Sequence, residues 1–328
     1  MKKFINDPND LTKELLNGMV KAYPNKVKLV KEKLVCRANK KSQDKVAIIS
    51  LGGTGHEPAV QGFVGDGMLD LCAAGDIWAA PGFNTLLEGM KEVSNEAGML
   101  LVTLNHAGDV MSAKKALKKA AKEGIKVKEI LTTEEIRPTE EEEGRGLGGC
   151  FFIYKICGAA AEQGKDLDYI HALAEKINSN MSTIAVLSDL ATHPSTGGVC
   201  GELGDDEMEI CAGQHGEGGG ITMPMATSKE TIKILADKVV EKLSLESGDE
   251  VIVVVNGSGK TTMMEQYIAF NDAEEFFAEK GIKIVGGHAG EVLTVQEAGG
   301  YQLMVLKADA EIKELWDAPC NTPGYTVL

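Results

Sequence analysis

Apolar and polar positions change period repeatedly along this chain. An amphipathic helical pattern over residues 11–23 opens it, and apolar runs at 45–50, 98–104 and 126–131 read as buried strands. Helix-period stretches at 83–97 and 111–123 separate the later runs, the second ending at Gly124, an expected C-terminal stop. Such alternation predicts a mostly parallel sheet with covering helices. An acidic and then glycine-rich break at 132–149 leads into two further helices, 150–163 and 167–177. A second block follows. It has strands at 183–187 and 208–212 around an irregular run at 188–204, a helix at 228–243, a strand at 251–255, a helix at 262–280, and strands at 282–285 and 302–306. The expected architecture is two α/β domains, residues 1–180 and 181–328, with mostly parallel or mixed sheets covered by helices.

The length of 328 residues suits two cores rather than one. Hydrophobic residues at 43 % and charged residues at 25 % are ordinary for a globular protein. The net charge of −15, with 34 Lys and Arg against 49 Asp and Glu, argues against a nucleic-acid surface. The glutamates at 134, 135 and 140–143 read as a solvated loop. Seven scattered cysteines, without a C-x-x-C, suggest neither a zinc site nor a disulfide framework and suit a reducing cytoplasm. The opening residues Met1-Lys2-Lys3-Phe4-Ile5-Asn6-Asp7 lack a signal-peptide core, and no run approaches the roughly 18 apolar residues of a spanning helix. A cytoplasmic location, with neither nucleic acid nor membrane as partner, is expected.

Three places carry candidate chemistry. The strand at 46–51 runs directly into Gly52-Gly53-Thr54-Gly55-His56-Glu57-Pro58. Glycine has no Cβ and tolerates positive φ, so the turn can approach a ligand closely, and His56 can exchange a proton near neutral pH. Asn105-His106-Ala107-Gly108-Asp109 follows the strand at 98–104 and sets a carboxylate at the same carboxyl-end rim, where open α/β sheets hold ligands. His215 stands among Gly213, Gly216 and Gly218 to Gly220. Each has a plain alternative: a glycine turn as punctuation, Asp109 as a helix N-cap, His215 as a loop packing residue. A fourth stretch, Asn256-Gly257-Ser258-Gly259-Lys260-Thr261-Thr262, looks like a phosphate-binding loop. The first glycine that motif requires is here Val254, so the segment reads as a strand-to-helix turn with Thr261 as N-cap.

Taken together, Gly-Gly-Thr-Gly-His-Glu-Pro, the Gly108-Asp109 pair, Glu207-Met208-Glu209 followed by Gly-Gln-His-Gly-Glu, and Leu315-Trp316-Asp317-Ala318-Pro319 resemble the K subunit of dihydroxyacetone kinase. The order and spacing of these segments hold over essentially the whole chain. The resemblance implies that His215 adds through a ring nitrogen to a substrate ketone, forming a hemiaminal. It implies that His56 and Asp109 hold the terminal hydroxyl and remove its proton as it attacks a phosphoryl group, with Gly53, Thr54 and Gly55 lining the substrate. Covalent capture separates a ketone from a polyol, which has no carbonyl.

The resemblance further implies no cofactor in this chain, with Mg-ADP or Mg-ATP held by a separate L subunit. That nucleotide is recharged by a phosphocarrier M subunit or exchanged as ATP. A homodimer is implied by resemblance as well. Departures bear on the substrate: the family commonly has a lysine where this chain has Leu104, and an aromatic and a threonine where it has His106 and Ala107. A related ketose such as erythrulose therefore stands beside dihydroxyacetone. A ketone-binding sensor or co-activator without kinase activity is the second reading, disfavoured by the presence of both His56 and Asp109.

Overall fold

The computed structural model describes residues 3–139, 143–213, 215 and 220–328. The chain forms two compact units, and each is discontinuous in sequence. The first gathers residues 2–132, 150–178 and 315–328, the second residues 133–149 and 179–314. The boundary expected near 180 is thus one of several places where the chain passes between units.

In the first unit the elements are α1 (Leu11–Ala22), β1 (Val27–Lys31), β2 (Leu34–Arg37), β3 (Ala47–Thr54), β4 (Leu71–Ile77), α2 (Phe83–Val93), β5 (Met99–Leu104), α3 (Ala107–Lys122), β6 (Val127–Thr132), α4 (Cys150–Glu162) and α5 (Leu167–Asn180). Its sheet has the order β1-β2-β4-β3-β5-β6. β4, β3, β5 and β6 run parallel, and β1 and β2 form an antiparallel flank. β3 is buried along nearly its whole length because both of its faces are covered. Ile49 and Leu51 pack with Leu86 and Met90 of α2 and Ala113 and Ala116 of α3. Ser50 turns to the other face, where its hydroxyl hydrogen-bonds Tyr154 of α4 at 2.9 Å.

α4 is buried along nearly its full length, which explains why its sequence lacks a polar stripe. Its one cation, Lys155, is fully buried and donates to the carbonyls of Leu315 at 2.9 Å and Ala318 at 2.7 Å. Burial pulls the Lys155 pKa down. Trp316 packs edge-on to Phe151, with ring centroids 5.8 Å apart, which ties residues 315–328 into this unit.

The second unit contains β7 (Met181–Asp189), β8 (Glu207–Ile210), β9 (Ile221–Pro224), α6 (Ser228–Leu243), β10 (Glu250–Gly257), α7 (Met263–Glu279), β11 (Lys283–Gly290) and β12 (Gly299–Lys307). α8 (Ala310–Asp317) and the short pair β13 (Cys320–Asn321) and β14 (Thr326–Val327) follow. The sheet order is β11-β10-β12-β7-β8-β9, parallel only between β10 and β11. Ile184, Val186, Val253, Val255, Leu303 and Val305 face the apolar sides of α6 and α7.

The segment 133–149 joins this unit because Ile136 N–H donates to the Thr183 carbonyl at 2.9 Å. Contrary to a solvated acidic loop, Glu134 and Glu135 are buried. Glu134 accepts from the amides of Leu147 at 2.8 Å and Gly149 at 2.9 Å, and Glu135 is bridged by Arg145 and Arg137. Of the remaining acidic run, residues 140–142 lie outside the described residues, and Glu143 is exposed.

Candidate active site

Three loops meet at the carboxyl edge of β4, β3 and β5 in the first unit. The first is the glycine turn after β3. Gly55 has φ 96°, a conformation that disfavours any side chain, and its N–H donates to Glu57 Oε1 at 2.9 Å. Gln61 Nε2 reaches the same oxygen at 2.9 Å, and burial raises the Glu57 pKa. The Thr54 hydroxyl donates to the Gly75 carbonyl at 3.2 Å and meets Thr12 Oγ1 at 2.9 Å. That hydroxyl holds the turn to its neighbours. His56 is only 3 % exposed.

The second loop, residues 78–82 after β4, threads between the other two. A Cβ on Gly53 would stand 2.7 Å from Ala79 N, and one on Gly75 would lie 1.8 Å from Ala79 O, so both positions need glycine for close backbone approach. On its far side, Ser112 Oγ of α3 donates to the Pro81 carbonyl at 2.6 Å, and a Cβ on Gly108 would touch Ala80. Resemblance to the family marks Ala80-Pro81-Gly82-Phe83 as a departure, but hydrophobic patterning does not reveal β4, the strand that leads into this loop. Leu71-Cys72-Ala73-Ala74-Gly75-Asp76-Ile77 is poor in β-branched residues and carries no strand signature.

The third loop brings Asp109. It lies in the first turn of α3, and the position before the helix is held by His106, which makes no side-chain cap. Asp109 is therefore not the N-cap. The residue is 9 % exposed, and among the described residues its Oδ1 has no hydrogen-bond partner. Burial pushes its pKa up to about 7. A buried carboxyl oxygen that the fold leaves unsatisfied costs stability. With the proton shared near neutral pH, this group can accept a proton from, or hydrogen-bond, a hydroxyl at the rim. Leu104, the last residue of β5, is buried at 4 % exposure.

His215 belongs to the second unit, in the connection between β8 and β9. The base of this connection is ordered by Cys211 N–H donating to the Ala185 carbonyl at 2.8 Å and Gly220 N–H to Glu209 Oε1 at 2.8 Å. Cys211 takes φ 63° to open the loop. His215 itself is half-buried, while Gln214 and residues 216–219 of the expected glycine setting lie outside the described residues.

β8 ends with Ile210 opposite Val186, and Cys211 lies beside Ala185. The Lys260 turn sits at the carboxyl end of β7, where Lys260 pairs with Asp189, the last residue of that strand. Asn256 is buried and accepts from the amides of Val292 and Leu293 at 2.8 and 3.0 Å. The Thr261 hydroxyl is clasped by Gly300. The N-cap of α7 is Thr262, in a capping box with Glu265, rather than Thr261. These groups are occupied in holding the turn.

No group of three or more His, Cys, Asp or Glu among the described residues has the arrangement of a metal site. No helix among them is long and apolar enough to cross a membrane.

The profile of a family described as the Dak1 domain matches residues 17–324. A protein of Listeria innocua named PTS-dependent dihydroxyacetone kinase 1, dihydroxyacetone-binding subunit DhaK, is 36 % identical over 314 residues, covering 95 % of each chain. Among solved structures, the dihydroxyacetone kinase operon co-activator Dha-DhaQ superposes with a TM-score of 0.90 at 26 % identity, over 95 % of this chain and 97 % of that one. The dihydroxyacetone kinase of C. freundii gives 0.91 at 25 % identity. It covers 99 % of this chain, which spans 60 % of the other.

Proposed function

Given that the chain belongs to the Dak1 family, we propose that it is the dihydroxyacetone-binding subunit of a dihydroxyacetone kinase, a phosphotransferase with an alcohol group as acceptor. The observation that carries the catalytic part is Asp109: a buried carboxyl with a pKa of about 7 and an oxygen without a partner among the described residues, on the rim that also holds the Gly53–His56 turn. In this reading the neutral imidazole of His215 gives its lone pair to the ketone carbon. The carbonyl π pair moves to oxygen, which takes up a proton while the other ring nitrogen gives up its own, and the ketose is held as a neutral hemiaminal. His56 and Asp109 hold the terminal hydroxyl and accept its proton as the oxygen attacks phosphorus. Gly53 and Gly55 contribute backbone approach, and Thr54 contributes through its backbone.

The phosphoryl group comes from a magnesium nucleotide on a separate L subunit, recharged by a phosphocarrier subunit. The first relative's PTS-dependent name supports that route. The chain works in the cytoplasm as a homodimer. The co-activator likeness favours one second reading, a ketose sensor without kinase activity.

Phosphorylation of dihydroxyacetone and erythrulose by this chain with a matching L subunit decides between them. Turnover that falls by orders of magnitude in His56→Asn and Asp109→Asn, with ketose binding retained, supports the kinase. Ketose bound on His215 without any turnover supports the sensor. Leu104→Lys tests the acceptor: restoring a charged donor should improve dihydroxyacetone kcat/KM by about ten- to hundredfold if that contact is missing. An unchanged value removes the case for a larger ketose.

A further inference from the structure

Trp78 is a bulky residue with φ 56°, in the left-handed region where the Cβ of an L-residue crowds the following carbonyl. Such a conformation persists only where the surroundings over-determine it. Here they do so by three contacts to one short turn. The Trp78 backbone N–H donates to the Thr54 carbonyl at 2.8 Å. Its indole Nε1–H donates to the Gly55 carbonyl at 3.3 Å. Its ring lies nearly parallel to the His56 imidazole, 23° between planes and 6.3 Å between centroids. The left-handed backbone directs both the amide and the ring of a single residue at residues 54–56.

We propose that Trp78 is a positioning residue for His56. The indole fixes the plane of the imidazole and the path of the Gly53–His56 turn. The strained backbone at 78 is retained because it places both hydrogen bonds and the stacked ring together. The role in turnover rests on the kinase reading, and the geometric role does not.

Two variants separate the contributions. Trp78→Asn keeps a residue that tolerates positive φ and removes the ring. Trp78→Phe keeps a ring and removes the bond to Gly55. The first readout needs no partner protein: histidine ring resonances of isotope-labelled protein, with His56 assigned by its loss in His56→Asn. The His56 signal should shift in Trp78→Asn as the ring current disappears, and stay closer to its original position in Trp78→Phe. The second readout is kinetics of the complex with the L subunit. In folded Trp78→Asn, kcat should fall about ten- to hundredfold with little change in ketose KM, as expected when a catalytic group is misplaced. Trp78→Phe should lose less. An unmoved His56 resonance together with wild-type kcat in Trp78→Asn overturns the proposal. A wild-type complex without turnover counts against the kinase reading alone, and the resonance shift then decides the role of Trp78.

Discussion

Asp109 shows at the scale of one residue how a site conflicts with the stability of its own fold. Its folded pKa, about 7, lies above the ordinary carboxylate value because burial disfavours the charge. Between those two values the folded state binds more protons than the unfolded state, so stability declines as pH rises through that window. Below it the side chain is neutral in both states and the cost vanishes; above about pH 7 the cost is complete. Asp109→Asn should therefore melt higher than wild type at pH 8, and the advantage should shrink to nothing by about pH 4. The same substitution should abolish most turnover. A mutant that is more stable and less active marks a group kept for function. Equal melting temperatures at pH 8 would show that the carboxylate finds compensation in solution. Glu134, pushed up to about 7 by burial as well, titrates in the same direction, but comparing mutant with wild type isolates Asp109.

At the scale of elements, the turn between β10 and α7 tests how local chemistry differs from a motif. Thr262→Ala removes the capping box of α7 and should cost about 1 kcal/mol in urea unfolding. Lys260→Ala should leave phosphorylation by the complex unchanged, because its ammonium is paired with Asp189 and the turn lacks the first glycine of a phosphate-binding loop. A large loss of nucleotide affinity in Lys260→Ala would reinstate a phosphate-binding loop. Sequence patterning located most long elements well. The helix expected at 228–243 matches α6, because Thr227 and Glu230 signal its start and the apolar stripe is regular.

What escaped were elements defined by tertiary context. β4 is poor in β-branched residues and is held by α2, which packs so closely that a Cβ on Gly89 would stand 2.8 Å from the Leu71 side chain. The burial of Glu134 and Glu135 depends on Arg145, Arg137 and two distant amides, partners that no local pattern reveals. His56 and Asp109 were legible as glycine-flanked polar residues after strands. Trp78 was not, since a left-handed backbone at a tryptophan has no sequence signal.

At the scale of the whole molecule, neither unit is a single stretch of chain. A fragment of residues 1–180 lacks Trp316 against Phe151 and lacks both carbonyls that hold the Lys155 ammonium. A buried cation stripped of its acceptors is strongly destabilising. That fragment should fail to give a cooperative unfolding transition, whereas adding residues 315–328 as a peptide should restore one; a fragment that unfolds cooperatively alone would contradict this. Lys155 also gives the unit a timetable. During synthesis its ammonium leaves the ribosome some 160 residues before Leu315, the first of its two acceptors. At roughly 5–20 residues per second, that interval is on the order of ten seconds. Residues 179–314 emerge within it and can close their own sheet while α4 still waits for its final partners.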